Sequence, residues 1–142
     1  MKDTISCFFQ VSGEMEPSQI SFTLNLGPTE VFRKGDVKRR DKRGIHPDVL
    51  YNENFWLLES ALDSSAPEED HLDAMLELLA SRESALIELA NTCHLTIEIY
   101  GKKQNPHVGV YVGREQTKLL GSLGIALGIS VYVLGESQGT IS

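Results

Sequence analysis

The chain opens on a regular alternation. In Thr4 to Val11 (TISCFFQV), Ile5, Cys7, Phe9 and Val11 recur at every second position, which places them on one face of a half-buried strand. After Gly13 the spacing changes: Pro17 suits a first helical turn, and Ile20 with Leu24 marks a short helix that Gly27 and Pro28 end. Phe22 and Thr23 make that helix weak by propensity. The segment EVFRKGD, from Glu30 to Asp36, reads as a short strand running into a turn at Gly35, followed by a polar, basic loop from Lys38 to Pro47.

Asn54 to Ser60 (NFWLLES) holds Trp56 in a β-prone run. Ser64, Ser65 and Pro67 then open a long helical region, whose first-turn residues Glu68, Glu69 and Asp70 suit the positive end of a helix dipole. Leu72, Met75, Leu76 and Leu79 form one helical stripe, and Leu86, Leu89 and Ala90 form another, so the region is either one helix kinked near Ser81 or two in succession. His94 to Gly101 (HLTIEIYG) alternates again, with Leu95, Ile97 and Ile99 inward. KKQNP is expected to turn the chain into HVGVYV, with Val108, Val110 and Val112 pairing back as a hairpin. Arg114 to Leu127 reads as a helix stopped by Gly128, Ile129 to Leu134 as the last strand, and GESQGTIS as a frayed tail.

The predicted order is β-α-β-β-α-β-β-α-β. It implies an α+β domain spanning residues 1–142, ordered over about 4–134, with a largely antiparallel sheet and its helices on one face in a ferredoxin-like plan.

Length and composition fit that picture. A chain of 142 residues, 41% hydrophobic and 23% charged, can bury about 70% of its unfolded surface. The longest apolar run, IALGISVYVLG, falls short of the ~20 residues of a membrane-spanning helix, and MKDTISCFFQV lacks the pattern of a secretory signal. A cytoplasmic protein off the membrane is expected. Cys7 and Cys93 lack CxxC spacing, and Cys7 sits within a strand pattern as a small hydrophobe.

The net charge of −7 is unevenly spread. Arg33 to Arg43 carries seven of the thirteen basic residues against Asp36 and Asp41, which leaves 6 basic and 18 acidic residues elsewhere, a net of −12. Such a body repels phosphate backbones and favours basic partners. The basic stretch KGDVKRRDKRG also lacks the aromatic interleaving of single-strand readers, so nucleic acid is not the expected partner.

Catalytic and metal motifs are missing from the sequence. The glycines of LLGSLGIALG are expected within and at the end of a helix instead of opening one after a strand, so they do not form a phosphate-cradling loop. His46, His71, His94 and His107 have no ligand spacing, although His94 and His107 face each other across the expected hairpin. No cofactor and no metal are expected, and an enzyme ranks behind binding roles. Trp56 reads as a core residue or, if exposed, a binding anchor.

The run SCFFQVSGEMEPSQISFTLNLGPTEVFRKGD, then NFWLLES, the paired leucine-rich helices, HLTIEIYG and GVYVGREQTKLLGSLGIALGISVYV together resemble a family of small bacterial proteins described as a domain of unknown function. The resemblance runs from about Thr4 to Leu134. It rests on the strand followed by a proline-led helix, the turn at Arg33 to Asp36, and the tryptophan strand with Leu58, Glu59 and Ser60. It brings no catalytic residues with it. It does imply an association of some relatives with bacterial toxin systems, in which small acidic immunity proteins bind and block a toxin. The insert from Lys38 to Arg43 is compatible with a variable loop of such a family.

The expectation is therefore a protein-binding domain, in its most specific form an immunity-type inhibitor of a basic toxin. Its contacts are expected on Glu68, Glu69, Asp70 and Asp73 and on the turn holding Arg33, Lys34 and Asp36. The alternative is a small-molecule sensing or regulatory module acting as a homodimer.

Overall fold

The alternation at the start of the chain becomes the centre of the sheet. In the computed structural model, which describes residues 3–104 and 111–133, strand β1 (Thr4–Gly13) lies between β5 (Asn54–Glu59) and β6 (His94–Lys103), antiparallel to both. Beyond β5 lies β2 (Glu30–Phe32), and beyond β6 lies β7 (Ala126–Val133), giving the order β2-β5-β1-β6-β7. A separate ribbon pairs β3 (Val37–Arg39) with β4 (Val49–Leu50).

Register explains the layers. Cys7 pairs with Ile99, Phe9 with Ile97 and Leu58, and Val11 with Leu95 and Trp56. These residues share one face, and all but half-buried Leu58 are buried. Four helices cover that face: α1 (Pro17–Leu24), α2 (Glu68–Ala80), α3 (Glu83–Ala90) and α4 (Arg114–Leu123). They contribute Ile20, Leu24, Leu72, Met75, Leu79, Leu86, Leu89, Leu120 and Leu123 to one contiguous core. The indole of Trp56 is fully buried, meets the Phe9 ring edge-on at 6.1 Å, and donates its N–H to Ser21 Oγ at 2.9 Å.

The α+β class and the one-sided helix layer follow the sequence, but the sheet is mixed and the element order is β-α-β-β-β-β-α-α-β-α-β, not the expected ferredoxin-like order β-α-β-β-α-β-β-α-β. β6 and β7 run parallel, with Thr96 opposite Ala126 through Lys103 opposite Val133. Because β1 holds the other edge of β6, neither side of that strand is left for the hairpin expected from HVGVYV. Residues 105–110 of that segment lie outside the described set, and the described Tyr111 and Val112 are not in a strand. Leu134 and the expected frayed tail also lie outside it.

Two boundaries differ from the pattern, each for a local reason. Helix α4 ends at Leu123, four residues earlier than expected, because Gly124 at φ 71° takes the left-handed position that closes a helix; Gly128 is instead inside β7. Helix α1 ends at Asn25, itself left-handed at φ 55°, whose neighbour Leu26 donates its N–H to the Ser21 carbonyl. The Arg82 guanidinium caps the same end by donating to the Leu24 carbonyl at 2.8 Å. Since Arg82 sits at φ −123°, the long helical region is two helices.

Of the basic segment expected as loop, Lys38 and Arg39 end β3, and the rest is the loop that joins β3 to β4. Its tip closes on Asp41, whose carboxylate accepts the backbone N–H groups of Arg43, Ile45 and His46. These bonds, with that from His46 foremost and that from Arg43 next, hold the Asp41 carboxyl below the ordinary carboxylate range.

Trp56→Ala should cost about 3 to 5 kcal/mol, and Ser21→Ala about 1 to 3 kcal/mol through the unpartnered indole N–H, both read by urea unfolding. Burial pushes the Cys7 thiol from 9.0 up to about 12. The folded state thus holds this proton more tightly than the unfolded chain, a contribution complete below the ordinary thiol value and lost as pH rises toward the folded one. Unfolding curves at pH 7 and pH 10 should show a steeper loss of stability in the parent protein than in Cys7→Ala; equal losses would contradict it.

Candidate functional site

The positions that alternate with the core form the other face of the sheet, which no helix among the described residues covers. On β1, Phe8 lies between Glu59 and Glu98, and Gln10 between Leu57 and Thr96. Phe32 pairs with Phe55 on the β2 side, and Glu98 pairs with Gly128 and Tyr100 with Ser130 on the β7 side. The β3–β4 ribbon borders this surface and adds Lys38, while Tyr51 follows β4 directly.

These side chains enclose a cleft of about 340 Å³ lined by Gln10, Phe32, Lys38, Tyr51, Phe55, Leu57, Glu98 and Tyr100. Its aromatic groups form two sets. Phe32 stacks on Tyr51 with ring centres 4.7 Å apart, and Tyr51 lies 5.4 Å from Phe55. On the other side Phe8 meets Tyr100 edge-on at 6.2 Å. Lys38 places its ammonium 5.7 Å from the centre of the Tyr51 ring, within the reach of a cation–π attraction. Tyr100 remains 39% exposed although its ring is packed.

Charge in the cleft is only partly matched. The Glu98 carboxylate is half-buried and has neither an ion pair nor a hydrogen bond among the described residues. Partial burial of Tyr100, then the Glu98 charge, then Tyr132, raises the Tyr100 phenol above its ordinary 10.0. The arrangement offers flat apolar faces, a free carboxylate, the Gln10 amide and one cation. It suits recognition of a mixed apolar and charged surface.

A larger surface groove of about 540 Å³ lies between the C-terminal end of α1 and the α2–α3 junction. Its most prominent polar group, the Arg82 guanidinium, is already engaged with the Leu24 and Leu78 carbonyls. No cluster of three or more metal-ligating side chains occurs among the described residues.

The residues singled out in the sequence fall elsewhere, in two separate groups. Arg33 pairs with Glu16, and Lys34 pairs with Glu14 at 2.9 Å. The Asp36 carboxylate accepts the Arg33 N–H, and Asn54 Oδ1 accepts that of Lys34. The turn is thereby fastened to the β1–α1 connection. At the start of α2, Glu68 accepts both its hydrogen bonds from Lys103 Nζ at 3.2 Å, with the two side chains only 15% and 6% exposed. Asp73 accepts the Gln116 side-chain N–H at 2.7 Å, which ties α2 to α4. Glu69 and Asp70 are exposed, and Trp56 is in the core. His71 is buried between Ser60 Oγ and the Asp63 carbonyl, and His94 is exposed; His107 lies outside the described residues.

Sequence reasoning missed Phe8, Gln10, Tyr51, Glu98 and Tyr100. The signal was present for four of them, since they are the outward positions of the two best alternating runs. Tyr51 lies in a stretch without periodicity and gave none.

Residues 3–134 match the family described as Domain of unknown function (DUF4279). No curated protein and no solved structure matches the chain.

Replacing Lys103 with Met while Glu68 remains should cost about 3 to 5 kcal/mol, because a carboxylate is left unpaired in a dry place; adding Glu68→Leu should recover much of the loss. Chemical unfolding of the single and double variants checks both. In a pH titration followed by tyrosine absorbance, Glu98→Gln should bring the Tyr100 phenol only part of the way back down, since burial is the larger cause.

Proposed function

The chain belongs to the DUF4279 family, and we propose that it is a protein-binding domain whose uncovered sheet face receives a basic segment of a partner protein. The observation that carries this reading is the aromatic face itself. Tyr100, Phe55, Phe32 and Tyr51 stand partly exposed around an unpaired carboxylate, on the side of the sheet that the helices leave bare. Tyrosine and arginine contacts of this kind dominate protein interfaces, and burying such rings beside a matched charge supplies both affinity and register.

Charge selects the class of partner. Outside Arg33 to Arg43 the chain carries 18 acidic against 6 basic residues, a field that accelerates encounter with a cationic surface. The exposed Glu69 and Asp70 of α2 contribute to this steering. Glu68 and Asp73 chiefly hold helices in place. The Arg33, Lys34 and Asp36 turn, fastened within the fold, borders the interface and does not anchor it. In its most specific form the reading is an immunity-type inhibitor that occupies a basic toxin in the cytoplasm. Among the described residues no helix is long and apolar enough to cross a membrane.

A second reading, a small-molecule sensor, is favoured by the cleft volume of about 340 Å³, which is within the range of ligand sites.

Capture of the tagged chain from its own host at moderate salt, alongside Tyr100→Ala and Phe55→Ala, tests the docking face. The expected result is a stoichiometric basic protein that dissociates at high salt and is held at least about 1 to 2 kcal/mol more weakly by each variant. A partner retained equally by both variants would remove this face from the account. Recovery of the chain alone, even after crosslinking, would move the sensor reading to first place.

A further inference from the structure

Glu98, like Glu53, is a half-buried glutamate with no ion pair or hydrogen bond among the described residues, and of the two it is Glu98 that lies in the aromatic cleft. Glu68, similarly removed from water, has Lys103 within 3.2 Å. Glu98 has aromatic neighbours and no ion pair among the described residues. Phe8 is its cross-strand neighbour on β1, and Tyr100 is the next residue on the same face of β6. The ammonium of Lys38 in the same cleft lies against Tyr51 and makes no ion pair with Glu98.

The opposite neighbour accounts for how the carboxylate is held. Glu98 pairs with Gly128, and its carboxylate lies directly across that glycine, in the space a Cβ would occupy. Glycine in the middle of a strand weakens it, and Gly128 has no positive φ to require it. What the bare backbone provides is a notch in which the carboxylate rests against β7 beside the Phe8–Tyr100 ring pair.

We infer that the Glu98 notch is the seat for a single guanidinium group, an arginine side chain of the partner, held by the carboxylate and stacked against Tyr100. A guanidinium matches this setting better than an ammonium because it is planar, is weakly hydrated, and can give two parallel N–H bonds to one carboxylate while lying on a ring. The Lys38 contact shows that the same cleft already accommodates a cation against an aromatic face. This inference rests on the docking reading of the open face, and supplies the chemistry of its central contact.

The test is an NMR titration of the full chain with acetyl-arginine methylamide, with the neutral isostere acetyl-citrulline methylamide as comparison, following the amides of Thr96 to Tyr100. Saturable shifts are expected with the arginine compound, and binding at least ten-fold weaker with citrulline. Glu98→Gln should weaken arginine binding by at least the same factor. Gly128→Ala should do so as well, because it keeps the charge and displaces the carboxylate; a thermal melt of each variant verifies that it is folded. Absence of saturable shifts in the parent protein, or equal affinity in folded Glu98→Gln, would overturn the inference. The two proposals fail separately. A captured partner lost by Tyr100→Ala and kept by Glu98→Gln would leave the docking face standing without the guanidinium seat. A partner kept by both Tyr100→Ala and Phe55→Ala would remove the docking reading whatever the small compounds do.

Discussion

The antiparallel pairing of β1 with β6 is the constraint on which the rest of the molecule depends. β1 alternates from Thr4 to Val11 and β6 along its whole length, and their register sets Cys7 against Ile99, Phe9 against Ile97 and Val11 against Leu95. A shift of one residue would turn this whole set toward water. With the register fixed, one face must be covered, and the four helices supply the cover. The same pairing gathers Phe8, Gln10, Glu98 and Tyr100 on the opposite side. Core and candidate site are thus two consequences of one alternation, which is why the outward residues could be brought together without a dedicated loop.

Polar groups buried on the helical side are consistently satisfied. His71 has Ser60 and Asp63, Lys103 has Glu68, Asn54 holds the Glu14 and Met15 carbonyls, and the Trp56 indole has Ser21. No buried side-chain nitrogen or oxygen among the described residues lacks a partner. Each of these contacts stabilises a junction: helix to sheet, helix to helix, or turn to strand. Glu98 differs because its carboxylate is left open in a partly dry, aromatic setting. That contrast turns attention from the acidic start of α2, whose Glu68 and Asp73 are spent on internal contacts, to the bare face of the sheet.

Much of the fold was legible because burial imposes a period. The runs TISCFFQV and HLTIEIYG announced the two central strands, and the leucine stripes announced α2 and α3. The errors arose where local signals compete or act at a distance. Between Leu119 and Gly128 three glycines interrupt an apolar run, and only the backbone tells that Gly124 ends the helix while Gly128 accommodates Glu98 from the neighbouring strand. The hairpin expectation failed on topology, since the parallel partner of β6 arrives through α4. At the site, alternation identified which residues face outward, but adjacency depends on register. The Lys103–Glu68 pair spans 35 positions and carries no local mark, and Tyr51 reaches the cleft only through the ribbon.

The central claim is that the partner meets the bare sheet face and leaves the helix layer free. A photo-crosslinking residue placed at Tyr100, and separately at Phe22, which is 82% exposed on α1, tests it directly in the native host. A covalent adduct with a basic protein is expected from position 100 and none from position 22. An adduct from position 22 alone would contradict it and place the contact on the helical side.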